Sequence, residues 1–460
     1  MKKFFTSLCV VLFAVVSLFT FTACGNELIE SSNSTIGVYS NGGTSVISGG
    51  YLYFVNGTKA NDGKVNTFNN VIQGGIYRLP VDANNNIKDG TSLNNAELVV
   101  SSLVGFDKGS IFVFGDYIYF ATPSIQKNQS GEVLYGLTAF YRKNINGGNP
   151  ELMYTTAKSA DTIDYTYYPV GDNSLYLVIY EKEGAVLKSI RMGKNVKDAQ
   201  VIASGIKGYI FPDETQKTGN NAYIYYTTTA DIASSYDGVN AYKVKPSNTD
   251  KVLIGTGKEY SLLTIRGENL FYSVKEGENT IIHISDLSKN LDISTDIVIS
   301  YKSYDKILFL ADGSIIYSDE TVESKPVVMY LKWENSVLTS YKVYEGKTTF
   351  IGVTSKNDTG YLVFVDSSDS SINSIDYTTS DKTLRENIEV TLLSDDAFVE
   401  TKGNMTTEII GNYVYGFVEK AVGTSTTKKV YMYRVSLDAN KKEVDKKEVL
   451  IGAEFIGKVE

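Results

Sequence analysis

Short runs in which nearly every position is apolar or aromatic recur along this chain, each set off by a turn of Gly, Asp or Asn. They are Tyr51–Phe54, Tyr117–Phe120, Leu175–Val178, Tyr223–Tyr226, Leu270–Ser273, Ile315–Ser318, Tyr361–Phe364 and Tyr413–Gly416. Their third residues are Tyr53, Tyr119, Leu177, Tyr225, Tyr272, Tyr317, Val363 and Tyr415. The spacing settles near the roughly 40 to 50 residues of a propeller blade. A β-type run precedes several copies: Ser110–Phe114, Ser261–Ile265, Lys306–Leu310 and Thr407–Ile410. A third strand follows: Ile76–Arg78, Phe140–Arg142, Ser189–Arg191, Ala241–Lys243, Ile281–His283, Met329–Leu331, Ser374–Asp376 and Met432–Arg434. A fourth closes the unit at Glu97–Val100, Glu151–Tyr154, Lys251–Ile254 and Glu448–Ile451. The octet Tyr77–Asn84 matches Tyr433–Asn440 closely enough to mean duplication.

This pattern predicts an all-β, eight-bladed β-propeller with four-stranded antiparallel blades over residues 44–460. Seven blades with an irregular end unit is the alternative count. A four-stranded sheet this short does not stand alone. Stacked around an axis, such sheets bury both faces and leave only short edges. Strands covered on both faces need apolar residues at successive positions, which is what these runs supply. No stretch combines helical period, length and caps, so almost no helix is expected. The segment Ala453–Glu460 extends past the last fourth strand and is placed to pair back on the first blade.

The start of the chain carries a different pattern. Met1-Lys2-Lys3 is basic, Phe4–Phe21 is almost entirely apolar, and Thr22-Ala23-Cys24 follows. These are the parts of a secretory signal peptide, residues 1–23. The Cys after a small residue resembles the lipobox of bacterial lipoproteins. The resemblance implies cleavage after Ala23 and acylation of Cys24; Phe21 stands where that family prefers Leu. An uncleaved anchor is the alternative, weakened by Thr6, Ser7, Thr20 and Thr22. Residues 24–43, rich in Ser, Asn and Gly without apolar period, read as a lipidated flexible tether.

Composition sharpens this picture. The 460 residues carry a formal charge of −9, and removing Lys2 and Lys3 makes it two units more negative. An acidic surface excludes nucleic acid and a polybasic membrane patch, leaving acyl chains to hold the membrane. Of the 2 cysteines, Cys9 lies in the signal segment and Cys24 takes lipid, so no disulfide is expected. With 34 Tyr against 1 Trp, tyrosine is the outlier. A ring that packs between blades, with a hydroxyl that reaches a polar group, suits that position. The excess is read as mainly structural.

Candidate chemistry is sparse. His283 is the sole histidine, so a Ser-His-Asp triad would depend on it. It stands in the third-strand slot that holds Arg or Lys elsewhere, and reads as a strand residue. Asp82, Asn84 and Asn86 have the alternating oxygen spacing of a calcium loop. Ile87 replaces the required Gly and Leu93 the required Glu, so a turn is the better reading. Asp438 and Asn440 run into Lys441 and Lys442, and Asp366–Ser371 reads as a polar hairpin tip. No cofactor or metal is expected. With 53 Asp plus Glu a catalytic carboxylate pair remains open, though none is marked in the sequence.

Loop lengths are uneven. The connections between second and third strands are tight in blades 5, 6 and 7. They are long at Val55–Gly74, Thr122–Val133, Thr227–Val239 and Glu419–Lys428. Such loops share one face, where a rigid scaffold carries function. Phe68, Tyr135 and Tyr236 are the aromatic candidates there.

The order of aromatic strand, loop, Tyr-Arg and Asp/Asn/Gly turn resembles the YWTD-type propellers. More closely it resembles the surface lipoprotein propellers of Gram-positive bacteria. Tyr317–Asp319 and Phe364–Asp366 are the nearest remnants of the tetrad. The resemblance implies an extracytoplasmic binding propeller on the outer side of the cell membrane. Its partner would be a protein or a glycan, bound without catalysis. A polysaccharide-active enzyme using paired carboxylates and a structural envelope-assembly factor are the alternatives.

Overall fold

The apolar runs become hydrogen-bonded strands in the computed structural model. It describes residues 45–56, 75–83, 97–100, 111–123, 129–130, 137–158, 162–170, 174–192, 199–210, 222–229, 239–258, 260–276, 279–286, 297–300, 307–319, 326–334, 337–356, 359–378, 390–394, 408–410, 413–421, 428–437 and 447–452.

The described strands form eight four-stranded antiparallel sheets, each made of four consecutive strands. The first contains β1 (Ser45–Ser48), β2 (Tyr51–Asn56), β3 (Gly75–Pro80) and β4 (Glu97–Val100). The second contains β5 (Ile111–Phe114), β6 (Tyr117–Pro123), β7 (Thr138–Asn144) and β8 (Glu151–Thr155). The third contains β9 (Ile163–Val170), β10 (Ser174–Glu181), β11 (Val186–Arg191) and β12 (Gln200–Ser204). The fourth contains β13 (Ile206–Ile210), β14 (Ile224–Thr229), β15 (Val239–Val244) and β16 (Val252–Lys258). The fifth contains β17 (Tyr260–Arg266), β18 (Asn269–Glu276), β19 (Asn279–Asp286) and β20 (Ile297–Ser300). The sixth contains β21 (Ile307–Phe309), β22 (Ile315–Asp319), β23 (Val327–Glu334) and β24 (Val337–Glu345). The seventh contains β25 (Thr348–Lys356), β26 (Thr359–Asp366), β27 (Ile372–Asp376) and β28 (Thr391–Ser394). The eighth contains β29 (Glu408–Ile410), β30 (Tyr413–Ala421), β31 (Lys428–Ser436) and β32 (Lys447–Gly452).

The architecture is an all-β propeller of four-stranded blades. First strands of neighbouring sheets approach one another, as β1 does β5, β13 does β17 and β25 does β29. First strands therefore line the axis and fourth strands form the rim. The core lies between sheets rather than within any one of them. Between the second and third sheets, Phe112, Tyr119 and Phe140 meet Tyr165, Tyr167 and Leu177, all buried. Phe112 and Tyr167 stack with centroids 5.0 Å apart. The tyrosine excess is thus used as packing material, with Tyr53, Tyr119, Tyr167, Tyr226 and Tyr272 buried.

The aromatic runs are all second strands, but their faces differ from the repeat alignment. Tyr53, Tyr119 and Tyr225 turn toward the following sheet. Leu177, Tyr272 and Tyr317 turn toward the preceding one. In the third sheet Val178, one residue on, faces forward. A shift of one residue exchanges the faces of a strand. When both faces are apolar, nothing in the local pattern marks the shift.

In every sheet but the fifth, the fourth strand slips register against the third. The residues passed over include Val99, Met153, Ile202, Ile254, Val343 and Leu393, all buried. Their neighbours Leu98, Leu152, Val201, Leu253 and Leu392 are exposed. A bulge bends an edge strand and spoils it as a template for further pairing. The rim aliphatics are thus one consequence of a repeated edge device, each on its own sheet.

The sixth sheet corrects the expectation of a tight second-to-third connection. β22 ends at Asp319 and β23 begins at Val327. Pro326, which has no N–H for a ladder, stands immediately before β23. The fifth and seventh sheets do connect closely, from Glu276 to Asn279 and from Asp366 to Ile372.

Candidate functional site

Two polar groupings stand out among the described side chains. The first repeats. Tyr53 pairs with Arg78 across β2 and β3, and Arg78 with Glu97 across β3 and β4. Arg78 Nε donates to Glu97 Oε2 at 2.9 Å and Nη2 to Oε1 at 3.0 Å. Its Nη1 donates to the Ile145 carbonyl of the second sheet at 2.9 Å. The guanidinium lies over the Tyr51 ring, 4.5 Å from its centroid. The second sheet repeats this with Arg142, which bonds Glu151 at 2.9 Å and covers Tyr117 at 4.4 Å. In the eighth sheet Tyr415, Arg434 and Glu448 hold the same register positions. Burial pushes the Tyr53 hydroxyl up, and Arg78 beside it pulls partway back. These guanidiniums are consumed inside the fold, on carboxylate, carbonyl and ring. The set works as a clasp between sheets.

The second grouping lies at the end of the third sheet where second strands finish, the end from which the long connections depart. Asp164 on β9 is directly opposite Tyr180 on β10, so both side chains share one face. Tyr209 reaches across from β13 of the fourth sheet. Its hydroxyl donates to Asp164 Oδ2. The Tyr180 and Tyr209 rings are 4.2 Å apart between centroids, at 37°. Lys182 Nζ stands 3.8 Å from Asp164 Oδ1, beyond hydrogen-bonding distance. Burial, then the Asp164 carboxylate, pushes the Tyr209 hydroxyl well above the usual tyrosine range. Tyr209 therefore holds its proton and remains a donor. On the same end, Lys158 pairs with Glu183 at 2.7 Å and Lys188 with Glu181 at 2.7 Å.

The other candidates fall as follows. His283 is a buried residue of β19, stacked on Tyr272 with centroids 5.1 Å apart. Both rings face the preceding sheet, whereas Arg78 and Arg142 face the following one. His283 is therefore a strand residue in the register position of Arg78 and Arg142, as expected, but on the opposite face. In the hairpin tip, Asp366 Oδ1 accepts from Ser368 N at 2.8 Å, and Asp369 Oδ1 from Ser371 N at 2.8 Å. That is the turn chemistry expected of Asp. Ala23, Cys24, Phe68, Asn84, Asn86, Tyr135, Tyr236, Asp438 and Asn440 lie outside the described residues. Among the described residues no group of three or more His, Cys, Asp or Glu could hold a metal ion. Among them, too, no helix is long and apolar enough to cross a membrane. Lys158 beside it holds the Glu183 carboxyl below the usual carboxylate range, and Asp366 is lowered as well. For Asp366, burial pushes upward, but bonds from Tyr344 and Ser368 outweigh it.

Asp164, Tyr180 and Tyr209 were not singled out by sequence reasoning. Ile163–Val170 is a nearly unbroken aromatic run in which one Asp looks incidental. The acid's partners are 16 and 45 positions away in the chain, Tyr180 by register and Tyr209 from another sheet.

No protein-family model matches the chain, and no curated protein matches it. Among solved structures, it is similar to a post-proline cleaving enzyme from Rickettsia typhi. That match has 13% identity over 86% of this chain and 57% of that one, with TM-score 0.44. It is also similar to the β-propeller domain of the Trilobed protease from Pyrococcus furiosus, at 10% identity over 74% of this chain and 95% of that one, TM-score 0.39. A third is oligopeptidase B from Leishmania major, at 11% identity over 75% of this chain and 48% of that one, TM-score 0.40. The chain thus spans 57% of the length of the first and 48% of the third.

Proposed function

We propose that this chain is a non-catalytic recognition propeller, held by lipid on Cys24 to the outer side of a bacterial membrane. Residues 24–43 form the tether, and the ligand, a protein partner or a glycan, binds at the end that carries the long second-to-third-strand connections. The observation behind this reading is the contrast within one scaffold. Sheets buried on both faces join their second and third strands by connections of very unequal length, residues 57–74, 124–137 and 230–238 in the first, second and fourth sheets against residues 277–278 in the fifth. A rigid core that displays variable loops at one end is the arrangement binding proteins use.

We also propose that the eight sheets close into one ring. Leu52, Phe54 and Leu79, on the side of the first sheet away from the second, are fully buried. Tyr413 and Tyr415, which alternate with the Val414 that packs on the seventh sheet, are buried as well. Mutual packing of these two faces accounts for both. A polysaccharide-cleaving enzyme would instead call for a carboxyl raised toward neutrality as general acid.

The test is binding of the soluble chain from residue 44 onward to envelope polysaccharide and envelope protein fractions. Replacing residues 57–74 by a two-residue Asn-Gly turn should weaken binding at least about tenfold, about 1.4 kcal/mol, with the melting temperature unchanged. Unaltered binding, or turnover of the bound polysaccharide, would overturn the reading.

A further inference from the structure

We propose that Asp164, Tyr180 and Tyr209 form a subsite for one hexopyranose ring of a glycan. This rests on the recognition reading above and names its ligand class. A pyranose presents a flat face of C–H groups and a rim of hydroxyl donors. It needs an apolar plate with a carboxylate at its edge.

Tyr180 supplies the plate. It is half-buried against the cluster between the third and fourth sheets, with Tyr209 4.2 Å away fixing its orientation, and the part of the ring left open is what a sugar would meet. Asp164 supplies the edge. Its side chain keeps 27% of its surface open. A carboxylate offers about four acceptor positions. The Tyr209 hydroxyl takes one, and Lys182 approaches only to 3.8 Å. The bond from Tyr209 holds the carboxylate in place, so little side-chain entropy remains to be lost when a sugar hydroxyl donates to it. Lys182, half exposed, provides a donor for a ring or hydroxyl oxygen.

Other ligand classes fit less well. A cation between aromatic plates needs a gap, and 4.2 Å between centroids leaves none. Lys182 already supplies a positive charge beside Asp164. A phosphate or carboxylate ligand would meet Asp164 as a like charge. The polar groups lie on β9 and β13, strands that line the axis, at the end from which the second-to-third-strand connections depart.

Titration calorimetry on the mature chain tests this with three named probes: cellohexaose, chitohexaose and mannohexaose. At least one should bind. Tyr180→Ala and Asp164→Asn should each weaken it tenfold or more, and Tyr180→Phe, which keeps the plate, should stay within threefold. Tyr180→Phe and Asp164→Asn should melt with wild type, whereas Tyr180→Ala loses packing between the third and fourth sheets and is compared at a temperature where it is folded. No binding of any probe, or binding that Tyr180→Ala and Asp164→Asn leave within twofold, overturns the subsite. If these variants keep the envelope ligand while the shortened 57–74 connection loses it, the recognition reading stands and the subsite alone falls. If neither change matters, both fall.

Discussion

The Arg78 clasp and the Asp164 cluster are built from the same residue types, an acid, a base and two tyrosines. They differ in what is left over. Arg78 spends its donors on two oxygens of Glu97 and on the Ile145 carbonyl, and its face on Tyr51. Its side chain is 11% exposed. Among the described residues Asp164 accepts one hydrogen bond, and it keeps open surface at the end where second strands finish. A saturated polar group reports structure; an unsaturated one at a mouth reports a ligand. The clasp also recurs, in the second sheet through Arg142 and by register in the eighth, as a scaffold feature should. A tyrosine donating to an aspartate of a neighbouring sheet recurs at Tyr344 and Asp366, whereas Asp164 has Tyr180 and Lys182 beside it as well.

The largest effect tests the tyrosine scaffold that underlies both regions. Burial, the main cause in each case, pushes Tyr226, Tyr344 and Tyr377 up to about 12, and Tyr119, Tyr167 and Tyr225 higher still. Their folded values exceed the unfolded value of 10.0. The stabilisation is therefore complete below pH 10 and is lost as pH rises through 12. Each such tyrosine removes about 1.4 kcal/mol per pH unit over its window. Guanidinium melts at pH 8, 10.5 and 11.5 should show a fall of several kcal/mol. A flat profile would mean the rings are not buried as described.

Next comes a contrast within one side chain. Tyr167→Ala should cost about 3–5 kcal/mol, as for a buried aromatic removed from a packed core. Tyr167→Phe should be neutral or slightly stabilising, because the hydroxyl is buried without a hydrogen-bond partner among the described residues. Equal losses from both would show that the hydroxyl is bonded after all, through a buried water.

The clasp sets the smallest scale. Arg78→Met should cost about 2 kcal/mol through its carbonyl and charge-assisted bonds. Glu97→Gln should cost under about 1 kcal/mol, because Glu97 is 61% exposed and its ion pair is screened. Neither should alter ligand binding. Asp164→Asn should do the reverse, leaving stability within about 0.5 kcal/mol. Loss of binding in Arg78→Met at unchanged stability would break the distinction between the two regions.

Much of the scaffold was legible along the chain. Each aromatic run proved to be a second strand, and the fourth strands Glu97–Val100 and Glu151–Thr155 lie where the pattern put them. Others were missed. These are the first strands β1, β9, β13 and β25 and the fourth strands β12, β20, β24 and β28, of which β9 alone carries an aromatic run. Their burial comes from neighbouring sheets, which local sequence does not record. The face of each strand was not legible either, the one His283 takes included.

What the sequence by itself determined is the repeat, the strand type and the demand for burial on both faces. These follow from residue choice at successive positions, and short-range physics decides them. Only the tertiary structure decided which face each tyrosine takes, where the rim strands bulge, and that Asp164 meets Tyr209. Those depend on one-residue register choices and on contacts between sheets. Such choices arise when neighbouring sheets pack, and no stretch of the chain carries them alone.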